Sequence, residues 1–371
     1  MNRGLSLYLD ALRVLAAFAV LGSHFAYPRF SNGDYLWLRE YNLGSDAVML
    51  FFVLSGFVIA YTADVKDRTA KGFLFNRFTR VYSVAVPAVI FTFAIDSLGN
   101  HLYANAYDGW WYGGTDRLQR FFAALTFTSE LGLNHIRIGT NGPYWSLSYE
   151  VWYYVLFAAL TFMTGAKRWL VAAAIMLTMG PKILVLGLSW AAGVVVYRSM
   201  TRITAAPLAA ARFLFWMPMA VYGLCQVTGV PKLLLALEHA WLGEGFVTAA
   251  LGFSDEFLWN GLLGLLVAAH LLGACRLAAG WTLPKTGVAQ AIRWLAGGSF
   301  SIYIVHYPLL QFLGSAFPEA RSTLAGQMMV LSLVVAGCYL FAGIFERTLA
   351  GQRIWLLNAY SRLTGLRPLA A

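Results

Sequence analysis

The sequence predicts an all-α polytopic membrane protein, a bundle of about ten transmembrane helices with both termini cytoplasmic. Three observations predict it. Of the 371 residues, 59% are hydrophobic and only 12% are charged, whereas a soluble domain carries about 25% charged residues. Several apolar runs reach the length a helix needs to cross the hydrocarbon, about 20 residues. The basic residues, finally, alternate along the chain as the positive-inside rule requires.

Taken in order, the expected spans are 5–27, 43–62, 79–98, 144–164, 168–180, 182–197, 208–230, 256–275, 299–317 and 324–345. The fifth and sixth are short and weak. The apolar segment 120–133 is too short to cross and is expected to be interfacial or re-entrant. With the amino terminus inside, the outer segments hold Arg29, Arg39, Arg117, Arg120, Arg137, Lys182, Lys232 and Arg321. Arg13 lies within a span, and the rest of the 27 Lys and Arg residues fall inside. Making 120–133 a further span would reverse everything after it and spoil this bias. Residues 1–350 are expected to form one membrane-embedded domain and 351–371 a short cytoplasmic tail.

Composition also excludes classes. The net charge of +10 is what cytoplasmic basic loops produce, and no soluble region exists to bind nucleic acid. Cys225, Cys275 and Cys338 fall far apart in apolar segments, so neither a disulfide framework nor a metal site is expected. The first apolar run carries Arg13 and is not followed by a small-residue cleavage site, so it reads as a span rather than a signal peptide. The expected location is the plasma (inner) membrane, multi-pass, in contact with lipid.

Polar residues at membrane depth are costly and mark function. In DALRVLAAFAVLGSH, Arg13 and His24 are eleven residues apart, which puts them on nearly one helix face, about 16 Å apart along the axis. Asp10 can pair with Arg13 at i,i+3. Ser55 and Gly56 interrupt FFVLSGFVI; RFTR places Arg77 and Arg80 at the mouth of the third span. WSLSYE brings Trp145, Ser146, Ser148 and Glu150 into the fourth. SIYIVHYP sets His306 two residues before Pro308, which kinks the helix and frees a carbonyl. By chain position, Arg77 and Arg80 are expected at the cytoplasmic face, Arg13, Ser55 and His306 midway, and His24 and Glu150 toward the outside.

Together these five segments resemble the acyltransferase-3 family of integral membrane acyltransferases, over nearly the whole chain. The resemblance implies transfer of an acetyl or other short acyl group from acyl-CoA, with acetyl-CoA the expected donor, to a hydroxyl of a cell-envelope or secreted carbohydrate. No cofactor is bound in such a reaction; acyl-CoA is a co-substrate. Carried over by motif, His24 and Arg13 belong to the catalytic centre, and Arg77 and Arg80 to acyl-CoA binding. Many members end their last span in a Glu-Arg-Pro-like sequence, whereas this chain reads FERTLAG, with Thr348 in place of proline. Some carry a fused extracytoplasmic domain; here any such partner would be a separate enzyme.

Histidine titrates near neutral pH and suits a general base, so His24 is expected to deprotonate the acceptor hydroxyl. Arg13 is expected to hold Asp10 or the developing thioester charge, and Glu150 to orient His24 or the acceptor. Ser55, Ser148, Trp145 and His306 are further candidates. The alternatives are a cytoplasmic-facing acyltransferase acting on a small metabolite such as a macrolide, and a transporter.

Overall fold

The computed structural model describes residues 1–109, 112 and 116–364. Among these the chain is helical, with one isolated bridge between Ile138 and Asn141 and no strand. The principal helices are α1 (Arg3–Phe25), α2 (Leu43–Val65), α3 (Ala70–Leu102), α4 (Arg117–Leu125), α5 (Trp145–Phe162), α6 (Gly165–Arg198), α7 (Leu208–Thr228), α8 (Val230–Leu242), α9 (Phe257–Leu277), α10 (Thr286–Ala296), α11 (Ser299–Ala316), α12 (Leu324–Phe341) and α13 (Leu349–Thr364). Residues 365–371, the end of the expected tail, lie outside the described residues, as does part of the 106–116 loop.

Among the described residues, seven helical stretches are long and apolar enough to cross a membrane: α1, α2, α3, α6, α7, Glu244–Gly280 and Leu324–Ala359. Eight of the ten expected spans fall within them, because α6 takes in both the fifth and the sixth. The other two, the fourth and the ninth, correspond to α5 and α11, 18-residue helices that carry Glu150 and His306.

The α6 run bends where Gly180 takes φ 77 and ψ 177 ahead of Pro181, a conformation only glycine adopts at low cost. Its two ends return to the same end of the bundle. Phe162, just before it, packs on Phe73, and Tyr197, near its end, packs on Phe57 and Tyr61. At the bend, the Gly132 amide donates to Met179 O. Lys182 Nζ lies 2.8 Å from Glu130 Oε2, each side chain 2% exposed, so the 129–137 loop is pinned there. The short α4 precedes this loop, in the region expected to be too short to span.

Helix α3 begins nine residues earlier than the hydropathy pattern indicated, because Thr69 caps it by accepting from the Gly72 amide. Arg77 and Arg80 are therefore helical. The closest packing in the bundle joins α2 to the second arm of α6. A Cβ on Gly56 would lie 2.0 Å from Trp190 O, and one on Gly193 would lie 1.9 Å from Val53 O. Only two glycines allow the backbones to approach this closely. Beside that crossing, buried Asp46 of α2 accepts from Trp259, Tyr222 and Gln226, which ties α7 and α9 to the core.

Candidate active site

Arg13, Arg77, Arg80 and Glu150 line a cavity of about 400 Å³, whereas Asp10, His24 and His306 do not; its volume is within the usual range for small-molecule sites, about 300–1,000 Å³. Its walls are Arg13 of α1, Ser55 of α2, Arg77 and Arg80 of α3, Glu150 and Tyr154 of α5, Tyr303 of α11 and Arg353 of α13, among others.

Midway along it, Glu150 and Tyr154, one turn apart on α5, face α2. Ser55 Oγ donates to Glu150 Oε1 at 2.6 Å, and the Tyr154 hydroxyl donates to the same oxygen. Trp190 Nε1 donates to Ser55 Oγ at 3.3 Å. Arg13 Nη1 lies 3.5 Å from Asp10 Oδ1; Arg13 lines the cavity and Asp10 does not.

At one end, where α2 finishes and α3 and α13 begin, the cavity is lined by Lys66, Asp67, Asn76, Arg77, Arg80 and Arg353. Asp67 accepts from Asn76 at 2.7 Å and pairs with Arg77 at 3.5 Å. Arg353 donates to Thr79 Oγ1 and Asn76 O. Arg80 is exposed and pairs with none of the described residues. The whole lining holds five cationic side chains, Arg13, Lys66, Arg77, Arg80 and Arg353, against the carboxylates Asp67 and Glu150. Such a surplus in a partly dry cavity favours an anionic ligand.

At the other end the cavity stops at a partition. Ser146 Oγ and the Tyr303 hydroxyl are 2.6 Å apart, the Tyr303 hydroxyl also reaches Pro143 O, and Phe51 packs edge-on against the Tyr303 ring. One turn beyond Tyr303 on α11 lies His306, about 4.5 Å farther along the axis.

His306 is fully buried, and its hydrogen bonds fix a proton arrangement. His306 Nδ1 is 2.7 Å from Ile302 O; a carbonyl can only accept, so Nδ1 carries the hydrogen. In the neutral ring Nε2 is then an acceptor. His24 Nδ1, 2.9 Å away, must donate to it. His24 Nε2 is left with its lone pair and no partner among the described residues, on a half-buried side chain. Pro308 has no amide hydrogen for Ile304 O, and Asn141 Nδ2 supplies one at 2.8 Å. The loop carrying Asn141 is in turn held by Asp96, which accepts from the Thr140 amide and hydroxyl.

Two expected depths change places. Glu150 sits midway, level with Ser55, because residues 138–144, all but Gly142 buried, enter the bundle before α5 begins. His306 sits beside His24. The partner of Glu150 is therefore Ser55, and the group that orients His24 is His306. Ser148 is buried against Ser129, and Trp145 stacks on Phe253 at 4.9 Å; neither lines the cavity. The sequence reading missed Tyr154, Tyr303, Asn141 and Arg353. Nothing in the sequence marked the two tyrosines, Asn141 falls between the third and fourth expected spans, and Arg353 falls in the expected tail.

A family described as an acyltransferase domain, acyltransferase-3, matches residues 6–343. The chain is 27% identical to Acyltransferase MdmB of Streptomyces mycarofaciens, over 90% of this chain and 88% of that protein. No solved structure matches it significantly. Five motifs in order, a polar cavity within an apolar bundle and a match across nearly the whole chain agree: this protein belongs to the acyltransferase-3 family and is an acyl-transferring enzyme.

Proposed function

We propose that the protein moves an acetyl or other short acyl group from acyl-CoA to a hydroxyl of a cell-envelope or secreted carbohydrate, with His24 as general base. The observation that carries this reading is the proton arrangement above, which leaves His24 Nε2 as an unpartnered acceptor. In this reading the bundle crosses the inner membrane ten times, counting α5, α11 and both arms of α6, with both termini cytoplasmic. The cationic mouth then faces the cytoplasm, where acyl-CoA is made, and His24 lies toward the outside.

Arg77, Arg80 and Arg353 hold the phosphates of the nucleotide. The pantetheine arm runs up the cavity past Ser55 and Glu150, and the thioester reaches His24 once the Tyr303–Ser146 contact parts. Nε2 takes the proton of the acceptor hydroxyl as its oxygen attacks the thioester carbonyl. The tetrahedral intermediate collapses with cleavage of the carbon–sulfur bond, and the thiolate recovers the proton from Nε2. His306 stabilises the transient imidazolium by accepting from Nδ1 throughout, as outer partners of catalytic histidines do. Arg13 supplies positive charge along the thioester path.

One observation favours a second route: Ser55 already directs its hydroxyl proton to Glu150. Ser55 would then carry the acyl group as an ester before passing it on. Acid quenching of the enzyme with acyl-CoA alone, followed by intact-mass measurement, separates the routes. An added acyl mass that disappears in Ser55→Ala establishes the two-step route, and its absence supports direct transfer.

The reading as a whole is tested in sealed vesicles of known orientation, with acyl-CoA and a soluble acceptor placed on chosen sides. Release of CoA thiol should require acyl-CoA on the cytoplasmic side and acceptor on the other. Transfer only with both on the cytoplasmic side would favour the small-metabolite alternative.

A further inference from the structure

Three arginines gather around His24 from segments that a positive-inside distribution would leave neutral. Arg29 lies in the short turn Pro28–Ser31 after α1. Its guanidinium carbon is 4.8 Å from the Tyr27 ring centroid and 5.7 Å from that of Tyr307, and it donates to the Tyr307 hydroxyl. Arg39, in the turn Trp37–Glu40, stands 3.7 Å over the same Tyr27 ring and donates to Ser23 O. Tyr27 stacks on His24 with 6.3 Å between centroids, and the Tyr307 ring meets His24 edge-on at 4.8 Å. Arg137 comes from the loop before α5 and acts on Tyr27, Tyr307 and Arg29 electrostatically. All three guanidinium groups act in the same way on His24.

Deprotonating a neutral sugar hydroxyl does not require this arrangement. Two guanidinium groups on one ring repel each other, and Arg39 forms none of the ion pairs found among the described residues. Asp34 is engaged elsewhere, accepting from Gln327 at 2.6 Å. Planar guanidinium forks match carboxylate and phosphate oxygens, and the Tyr27 and Tyr307 rings hold Arg29 and Arg39 beside His24. We infer that the acceptor is an anion, a hydroxyl compound with a carboxylate or phosphate group close to the hydroxyl that is acylated, held by Arg29, Arg39 and Arg137 above His24. This rests on the acyltransferase reading at His24 and adds the charge class of its acceptor.

The test is calorimetric titration of the full-length protein in phosphatidylcholine nanodiscs, with saturating CoA filling the cationic mouth. The neutral lipid removes headgroups that would compete. The probes are methyl glucoside, methyl glucuronoside and glucose 6-phosphate, so that the two charged arms tell carboxylate from phosphate. At least one charged probe should bind about tenfold or more tightly than the neutral one, the usual worth of a charge-assisted hydrogen bond. Arg29→Gln and Arg39→Gln should largely abolish that preference, while Arg39→Lys should retain part of it. CoA binding measured in the same variants verifies that each is folded. Equal affinities, no binding of a charged probe at millimolar concentration, or a preference that survives both variants would overturn the inference. If acceptor-dependent CoA release is lost in His24→Ala but the probes bind equally, the acyltransferase reading stands and this inference falls.

Discussion

At the scale of single residues, the site is a set of side chains that an apolar bundle would otherwise exclude. Of the candidates the sequence offered, Arg13, Glu150 and Ser55 line the cavity, and they were legible because each interrupts a hydrophobic run; His24 was legible in the same way and lies beside His306. His24→Ala should therefore reduce acyl transfer by about 10²–10⁴-fold, the usual contribution of a general base, with normal membrane insertion, measured as CoA release per folded enzyme. His306→Phe keeps the volume but removes the acceptor that fixes the His24 proton. It should lower kcat by about 10–100-fold, as loss of an outer partner commonly does, with the KM for acyl-CoA unchanged. What the sequence concealed was partnership. A tyrosine at membrane depth is ordinary, so nothing marked Tyr154 as a donor to Glu150 or Tyr303 as the end of the cavity. Spacing along one helix places residues on a face, but it does not say which neighbour that face meets.

Among the helices, the decisive contacts are those where backbones touch. The crossing of α2 and α6 depends on Gly56 and Gly193, whose missing side chains admit the opposite carbonyls. Gly193→Ala should overpack it by about 3 kcal/mol, the upper end of the usual range, and lower the thermal midpoint of the detergent-solubilised protein. Glu130 and Lys182 hold the 129–137 loop against the bend of α6. Removing either alone leaves a buried charge and should cost about 3–5 kcal/mol, whereas the double replacement Glu130→Gln with Lys182→Met should cost less than the two single changes together. Thermal unfolding of the four proteins measures that cycle. The bend itself was visible as Gly-Pro between two weak apolar runs, and it returns both ends of α6 to one end of the bundle. The start of α3 was not visible, because a capping threonine and a basic, half-polar first turn do not register as apolar periodicity.

Across the whole molecule, cationic side chains gather at one end of the cavity, and Arg77 and Arg80 of that group were legible from RFTR. The sequence did not show that Arg353, near the chain's end, would return to Asn76 and Thr79 and complete the cationic mouth, since nothing in a terminal segment says where it docks. Arg80→Ala and Arg353→Ala should each raise the KM for acyl-CoA about tenfold with little change in kcat, because phosphate contacts are shared by ground and transition states. Steady-state kinetics at two salt concentrations would check this, since screening should shrink the difference. The partition formed by Ser146 and Tyr303 has a bearing on the cell's energy supply. In the proposed orientation, the cavity opens to the cytoplasm and is lined at its far end by Ser146 and Tyr303, with His24 beyond them, so this contact stands between the two sides of the membrane. Moving a proton through 100 mV releases about 2.3 kcal/mol, and a resting enzyme that let protons through would drain the gradient between turnovers. Tyr303→Ala should therefore make proteoliposomes leak protons under an imposed potential, read with an internal pH dye, whereas the unaltered protein should hold the gradient.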